Sequence, residues 1–267
     1  MKSGFQTPKV NEYIVNWLKS YAEKARVKGF VVGISGGVDS AVTSSLCAQT
    51  GLETLCVEMP IHQSHSQVIR GREHIELLKV KYPNVQSIET NLTSTFEEFK
   101  KQIPTDTDEY RLNLTLANTR SRLRMLTLYY HAGIRSYLVV GTGNKIEDFG
   151  VGFYTKYGDG GVDISPIADL MKSEVYKLAE YLGVPESILI APPTDGLFGD
   201  NRSDEDQLGA SYDELEKAMI AHQNGKTAED FTGREREVFE IYVRLNTINQ
   251  HKMNPIPVCT IPNELKL

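Results

Sequence analysis

The stretch Gly33-Ile34-Ser35-Gly36-Gly37-Val38-Asp39-Ser40 decides the fold. The apolar run Phe30-Val31-Val32 before it predicts a short buried strand. The run Ala41 to Ala48 after it predicts a helix, closed by Gly51. Two glycines and two serines therefore stand where a strand turns into a helix. Such a junction suits phosphate: first-turn N–H groups have no intrahelical acceptor, and the helix dipole favours an anion. Gly36 and Gly37 permit positive φ and close approach of a ligand.

Three loop chemistries compete. A Walker A loop ends in Gly-Lys-Ser/Thr, and here Asp39 precedes Ser40, so that reading fails. A nucleophile elbow needs Gly-x-Ser-x-Gly, which Gly33 to Gly37 satisfies in its letters, with Ser35 as nucleophile. The third pattern, Ser-Gly-Gly-x-Asp-Ser, resembles the pyrophosphate loop of the N-type ATP pyrophosphatases. A carboxylate beside a triphosphate is repelled unless a cation lies between them. Asp39 therefore implies Mg²⁺.

The chain has 267 residues, enough for one large domain, with 40% apolar and 24% charged residues. A net charge of -6 argues against a general nucleic-acid surface. No apolar run reaches spanning length, and the polar start Met1 to Phe5 does not read as a leader, so no membrane partner is expected. Cys47, Cys56 and Cys259 form no Cys-x-x-Cys pair and fit reduced thiols in the cytoplasm. His62 and His65 read as part of a polar loop rather than a metal site.

Outward from the loop, residues 10–28 carry Val10, Ile14, Trp17, Leu18 and Tyr21 on one helical face. Residues 52–59 and 85–92 predict strands, 66–82 a helix, and Ser94-x-x-Glu97 a capping box opening a short helix. Thr105 to Glu109 is an acidic loop. A long helix runs from Arg111 to about Ala132, ended by Gly133, with Arg120, Arg122 and Arg124 above Leu116, Leu123, Leu126 and Tyr130. The strand 136–140 leads to Gly141-Thr142-Gly143-Asn144, a second junction that can face the first across a parallel sheet. The glycine-rich stretch 150–163 is too irregular for an element, and long ordered loops in compact domains are usually functional. Ile164 to Pro166 is extended, and Asp169 caps a helix through Leu182. Segment 191–207 reads as a mobile flap. Ser211-x-x-Glu214 and Thr232-x-x-Glu235 open two further helices, the last to about Gln250, before an extended tail at Pro255 to Val258. Strands alternating with helices predict an α/β fold, a Rossmann-like doubly wound, mostly parallel sheet in one domain over 1–267.

Five motifs occur in order: 33–40, Gly-Thr-Gly-Asn-Lys-Ile-Glu at 141–147, Phe-Tyr-Thr-Lys-Tyr-Gly-Asp-Gly-Gly-Val-Asp at 153–163, Ser-Asp-Glu-Asp-Gln-Leu-Gly at 203–209, and His251-Lys252. Together they resemble the ammonia-dependent NAD⁺ synthetases over roughly residues 10–255. The resemblance implies that the pyridine carboxylate of deamido-NAD⁺ attacks the α-phosphate of ATP, releasing pyrophosphate. Ammonia then converts the acyl-adenylate to NAD⁺ and AMP. It also implies a homodimer with the dinucleotide at the subunit interface. By the same resemblance, Gly33, Ile34, Ser35, Gly36, Gly37, Val38, Asp39, Ser40, Thr142, Lys172 and Thr194 contact ATP, and Asp39 and Glu147 hold Mg²⁺. Arg122, Lys156, Asp163, His251 and Lys252 contact deamido-NAD⁺, and Asp39, Lys156 and Lys172 take part in catalysis. Taken alone, Glu147 is a first-turn acid, Lys172 a helix-start lysine and Arg122 one arginine on an amphipathic helix. The flap 194–203 departs from the family form, which carries Trp near Phe198. Relatives with a glutaminase domain need a few hundred further residues, so free ammonia is the expected nitrogen source. Rival readings are another adenylating enzyme (a tRNA thiolase, GMP synthetase or asparagine synthetase), a nucleotide-binding module without turnover, and a serine hydrolase using Ser35 and His251.

Overall fold

The computed structural model describes residues 4–104, 108–194 and 203–266. The expectations for Thr105 to Thr107 and for 195–202 of the flap lie outside the described residues. Four strands, β1 (Gly29–Gly33), β2 (Glu53–Glu58), β3 (Val85–Glu89) and β4 (Tyr137–Val140), form one parallel sheet in the order β3-β2-β1-β4. Parallel neighbours need crossovers. These are supplied by α2 (Val38–Gln49), α3 (His65–Lys81), and the pair α4 (Thr93–Gln102) and α5 (Glu109–Arg135), after an N-terminal α1 (Thr7–Ala25). The expected α/β class and parallel sheet are present.

Side-chain alternation along the strands divides the core. Phe30 and Val32 of β1 pack with Leu18 of α1, Leu46 of α2 and Ile75 of α3. Val31 of the same strand joins Leu55, Val57 and Val139 against Phe96 of α4 and Leu116 of α5. Both faces of β1 are thus covered, which is why Phe30 to Val32 read as an unbroken apolar run. The chain passes from β1 outward to β3 and then returns to the other side of β1 as β4. The crevice beyond the carboxyl ends of β1 and β4 is therefore a topological switch point, where open α/β sheets place ligands.

After β4 the chain makes a π-helical turn, Ile146–Val151, and the glycine-rich stretch follows. Then come α6 (Lys172–Leu182), α7 (Glu186–Leu189), α8 (Asp204–Leu208), α9 (Tyr212–Gln223) and α10 (Gly233–Met253). Leu208, Leu215, Phe239 and Tyr242 from the last three helices pack on Ile146 and Val151 of the π turn. A third apolar cluster so holds that turn in place.

Several local expectations are corrected. Ser94 lies inside α4, whose N-cap is Leu92; the first turn is met instead by Asn91, whose Oδ1 accepts from the Thr93 N–H at 3.0 Å. Gly133 does not end α5, which continues to Arg135 and stops at Ser136 in the left-handed region. Met171, not Asp169, is the N-cap of α6; Asp169 pairs with Lys145 at 2.8 Å. His251 and Lys252 belong to the last turn of α10 rather than following it. Leu126 and Tyr130 do not lie beneath the arginines: they are 62% and 64% exposed. Residues 203–208 of the flap form a capped helical turn, with Ser203 Oγ accepting from the Asp206 N–H at 3.1 Å.

Candidate active site

Beyond the carboxyl ends of β1 and β4 lies a cavity of about 270 Å³. Every residue of 33–40 lines it, as do Thr142, Glu147, Lys172 and Thr194. The loop is held by its own hydroxyls. Ser40 Oγ donates to the Gly37 carbonyl at 3.0 Å and accepts from the Ser35 N–H at 3.3 Å, and the Gly37 N–H donates to Ser35 Oγ at 3.2 Å. Gly37 is the N-cap of α2 and its side of the turn carries no capping side chain. The N–H groups of Val38, Asp39 and Ser40 thus form the anion-seeking start of that helix. Gly36 has φ +83°, and a Cβ there would lie 2.3 Å from the Gln67 carbonyl oxygen on α3. Glycine is required at that position by both conformation and space.

Two carboxylates and one ammonium meet beneath the loop. Lys172 Nζ, at the start of α6, donates to Asp39 Oδ2 at 2.5 Å and to Glu147 Oε1 at 3.1 Å. Asn144, fully buried between β4 and the π turn, ties the pair together. Its Nδ2 donates to Asp39 Oδ1 at 3.1 Å, and its Oδ1 accepts from the Ile146 and Glu147 N–H groups at 3.1 Å each. Burial alone pushes the Asp39 carboxyl up, and the Lys172 ammonium pulls it back. Burial likewise disfavours the Lys172 charge, but Asp39 and Glu147 outweigh it and hold the lysine above its usual range. The ammonium therefore stays charged at neutral pH.

Whether these residues fit a divalent cation follows from the same contacts. Both carboxylates reach one positive centre, so their oxygens converge on a single small volume, and carboxylate oxygen is the donor Mg²⁺ takes. Among the described residues no group of three or more metal-binding side chains gathers. Two carboxylates completed by phosphate oxygens is the pattern for Mg²⁺ with a nucleotide, and the donor set fits it.

The remaining predicted residues form a second group, outside the main cavity. Arg122 is exposed on α5 and donates through Nε and Nη2 to the Lys156 carbonyl at 3.4 and 3.3 Å. Lys156 Nζ in turn donates to the His251 carbonyl. These three make a continuous rim on the surface. Lys252 Nζ donates to the Gly152 and Tyr154 carbonyls at 2.7 and 2.8 Å and lines a smaller cavity of about 170 Å³ that shares Asp148, Tyr154 and Asp159 with the larger one. Both oxygens of Asp163 are engaged: Tyr129 Oη donates to one at 3.0 Å and the Val139 N–H to the other at 2.8 Å. In the described structure Asp163 thus ties the glycine-rich stretch to β4.

Four cavity or site groups escape sequence reasoning. Arg124 donates to the Met59 carbonyl at 3.0 Å and to Gln63 Oε1 at 2.7 Å, and lines the cavity. Arg122 and Arg124 stand about 200° apart around a helix, so only one of them can face the crevice, a signal available in the spacing. Arg70 donates to the Gly36 carbonyl at 3.3 Å and lines the cavity. Asn144 was visible only as a letter in a motif. Tyr212, on α9, gave no signal at all: its Oη donates to Glu147 Oε1 at 2.6 Å.

The chain is similar to known proteins along most of its length. The family described as NAD synthase matches residues 10–256. An NH(3)-dependent NAD(+) synthetase from Carboxydothermus hydrogenoformans is 37% identical, covering 84% of this chain and 89% of its own. A solved NMN synthetase from Francisella tularensis superposes with a TM-score of 0.82 at 31% identity, covering 97% of this chain and 99% of that one. An NH3-dependent NAD synthetase from Campylobacter jejuni superposes with a TM-score of 0.76 at 24% identity, over 96% and 100%, a likeness of fold.

Proposed function

The chain belongs to the NAD synthase family, and from that premise we propose how its residues perform the amidation of deamido-NAD⁺ by ammonia, with ATP cleaved to AMP and pyrophosphate. The enzyme is a ligase that forms a C–N bond. The observation that carries this reading is the convergence of Asp39, Glu147 and Lys172 beneath a phosphate-binding helix start.

Asp39 and Glu147 would hold Mg²⁺, which when bound offsets the charge of the phosphates. The loop N–H groups, with Ser35 and Ser40, bind the pyrophosphate portion of ATP. Thr142 and Thr194, which both line the cavity, orient the nucleotide. Lys172, at the start of α6, aims its ammonium at the pair of carboxylates. Once they are otherwise neutralised, its ammonium turns to the phosphate oxygens, where it steadies charge as the α-phosphate is attacked. Phe153, Tyr154 and Val162 of the glycine-rich stretch line the cavity and exclude water, to which an acyl-adenylate is vulnerable. Lys156 closes the surface end, with Arg122, Asp163, His251 and Lys252 around the dinucleotide. Leu126, Tyr130 and Ile134 form an exposed apolar stripe on α5 beside this rim, which supports a homodimer that shares the dinucleotide. The described residues work as one synthetase domain. Among them no helix is long and apolar enough to cross a membrane, and the buried thiols Cys47 and Cys56 suit the reducing cytoplasm.

The test is release of AMP and pyrophosphate from ATP, Mg²⁺ and deamido-NAD⁺, with and without ammonium, beside Asp39→Ala. NAD⁺ formed only with ammonium, and lost in the variant, is the expected result. ATP binding without turnover would point instead to a nucleotide-binding module. A second reading has its own observation: the solved Francisella tularensis neighbour is an NMN synthetase. Nicotinic acid mononucleotide lacks the adenylate half of the dinucleotide, so it need not reach the Arg122–Lys156–His251 rim. A kcat/KM for the mononucleotide above that for deamido-NAD⁺, unchanged by Arg122→Ala, would favour it.

A further inference from the structure

Tyr212 is the first residue of α9, and three features fix it there. Ser211 is the N-cap, in a capping box with Glu214; Glu205 Oε1 accepts from the Tyr212 N–H at 3.0 Å; and the ring lies in the apolar cluster with Leu215 and Phe239. Packing alone asks for a phenylalanine, because burying a hydroxyl is unfavourable unless it is hydrogen-bonded. The hydroxyl reaches out of the cluster to Glu147 Oε1 at 2.6 Å, with Asp204 Oδ2 further off at 3.3 Å. Lys172 Nζ donates to the same Oε1 and sits 4.8 Å from the centroid of the Tyr212 ring. One side chain therefore touches the metal carboxylate with its hydroxyl and the phosphate lysine with its ring face. Among the described residues Glu147 Oε2 carries no hydrogen bond, so the two donors on Oε1 leave the other oxygen for a cation.

We infer that Tyr212 is a positioning residue that sets Glu147 for the metal ion and Lys172 for the phosphates, an inference that rests on the reading of this site as a metal–nucleotide centre. Outer-shell partners of metal ligands typically contribute 10–100-fold in metal affinity, and the short contact places Tyr212 in that class.

The test separates the hydroxyl from the ring. Mn²⁺ binding is titrated calorimetrically, and by the loss of the free-ion electron-spin signal, on protein saturated with α,β-methylene-ATP. Tyr212→Phe keeps the ring and is expected to weaken Mn²⁺ about tenfold or more, with the KM for deamido-NAD⁺ unchanged. The ligand-free variant still unfolds in one cooperative step, its melting temperature lowered by no more than one lost hydrogen bond to a carboxylate accounts for. Tyr212→Leu removes the ring as well and raises the KM for ATP further. Glu147→Gln weakens Mn²⁺ by itself, and Tyr212→Phe on that background adds little, because both act through one carboxylate. Wild-type Mn²⁺ affinity in Tyr212→Phe overturns the inference, as do additive losses in the double variant or equal losses for every ligand. Metal binding is read without turnover. Failure of the wild type to amidate deamido-NAD⁺ therefore refutes the proposed function alone.

Discussion

Lys172→Met removes the ammonium that Asp39 and Glu147 share. The Lys172 side chain is 4% exposed, and its partners 17% and 16%, so the buried-pair scale applies rather than the surface one. Taking away one member of a buried ion pair destabilises by about 3–5 kcal/mol, because the other charge is left without compensation. Methionine fills similar space, which isolates the electrostatic part. The expected fall in melting temperature is roughly 6–20 °C for a chain of this size. The deficit depends on pH with a definite sign. Asp39 is already raised by burial, and without Lys172 it rises further. A carboxyl with a folded pKa above its unfolded value contributes stability at low pH and withdraws it as pH increases. The variant therefore loses most ground above the ordinary 3.8 of an aspartate, and progressively so toward neutrality. Mg²⁺ replaces the missing positive charge, so millimolar Mg²⁺ stabilises Lys172→Met more than the wild type. Urea unfolding at pH 5 and pH 8, each with and without Mg²⁺, reads all three effects. A variant as stable as the wild type at pH 8, or a deficit independent of both pH and Mg²⁺, refutes the account of the triad.

Two further outcomes follow from other parts of the molecule. Gly36→Ala forces a left-handed φ on a residue with a Cβ, at about 1–2 kcal/mol, and drives that Cβ into the Gln67 carbonyl. Nucleotide binding should fall by more than the melting temperature suggests, since the displaced backbone is the loop proposed to bind phosphate, and calorimetric titration with an ATP analogue checks this. His74 is buried against Ser44, with Nε2 2.9 Å from its hydroxyl, and burial pulls the imidazole down from 6.5 to about 4. The unfolded chain binds that proton first, so stability is full above pH 6.5 and is lost as pH falls toward 4, by up to about 3 kcal/mol. His74→Gln should flatten that acid limb of the urea-midpoint profile.

The strand–loop–helix unit was legible because strand burial, two glycines and a helical run lie side by side in sequence, and local rules act at that range. The triad was not legible in the same way. Lys172 and Asp39 are 133 positions apart, and they meet because α6 packs on α2 beside the crevice that β4 makes with β1. Resemblance to a family supplied all three letters without their geometry. The capping errors have a common cause. Ser94-x-x-Glu97 carries the right residues, but Asn91 had already met the helix start three positions earlier, and a four-residue pattern cannot register that. Gly133 misled because a glycine penalty of about 1 kcal/mol is too small by itself to end a long helix, and α5 runs on to Arg135 before Ser136 turns left-handed. Tyr212 was hidden for another reason: its ring obeys the apolar pattern of α9, and nothing in a sequence distinguishes a tyrosine kept for its hydroxyl.

The glycine-rich stretch rejoins the sheet at its far end. The Asp163 N–H donates to the Val139 carbonyl, the Gly141 N–H donates to the Ile164 carbonyl, and Val140 and Ile164 form a single parallel bridge. Val139 also gives its N–H to the Asp163 side chain. β4 is thus a border strand whose outer rim is stitched by a few residues rather than by a fifth strand. Were the whole segment to lift for substrate entry, the rim would lie bare, and bare rims recruit strands from other chains. The stem at Asp163 and Ile164 therefore has to stay seated for the rim to stay covered. On the proposed function, any movement that admits the dinucleotide would fall to the tip, around Tyr157 to Gly161, where the backbone is tied by turns and by Ser121 rather than by the sheet. Opening for substrate, on that function, and protection from aggregation would then fall to neighbouring residues of one loop, and a hinge placed too near its stem would trade the second for the first.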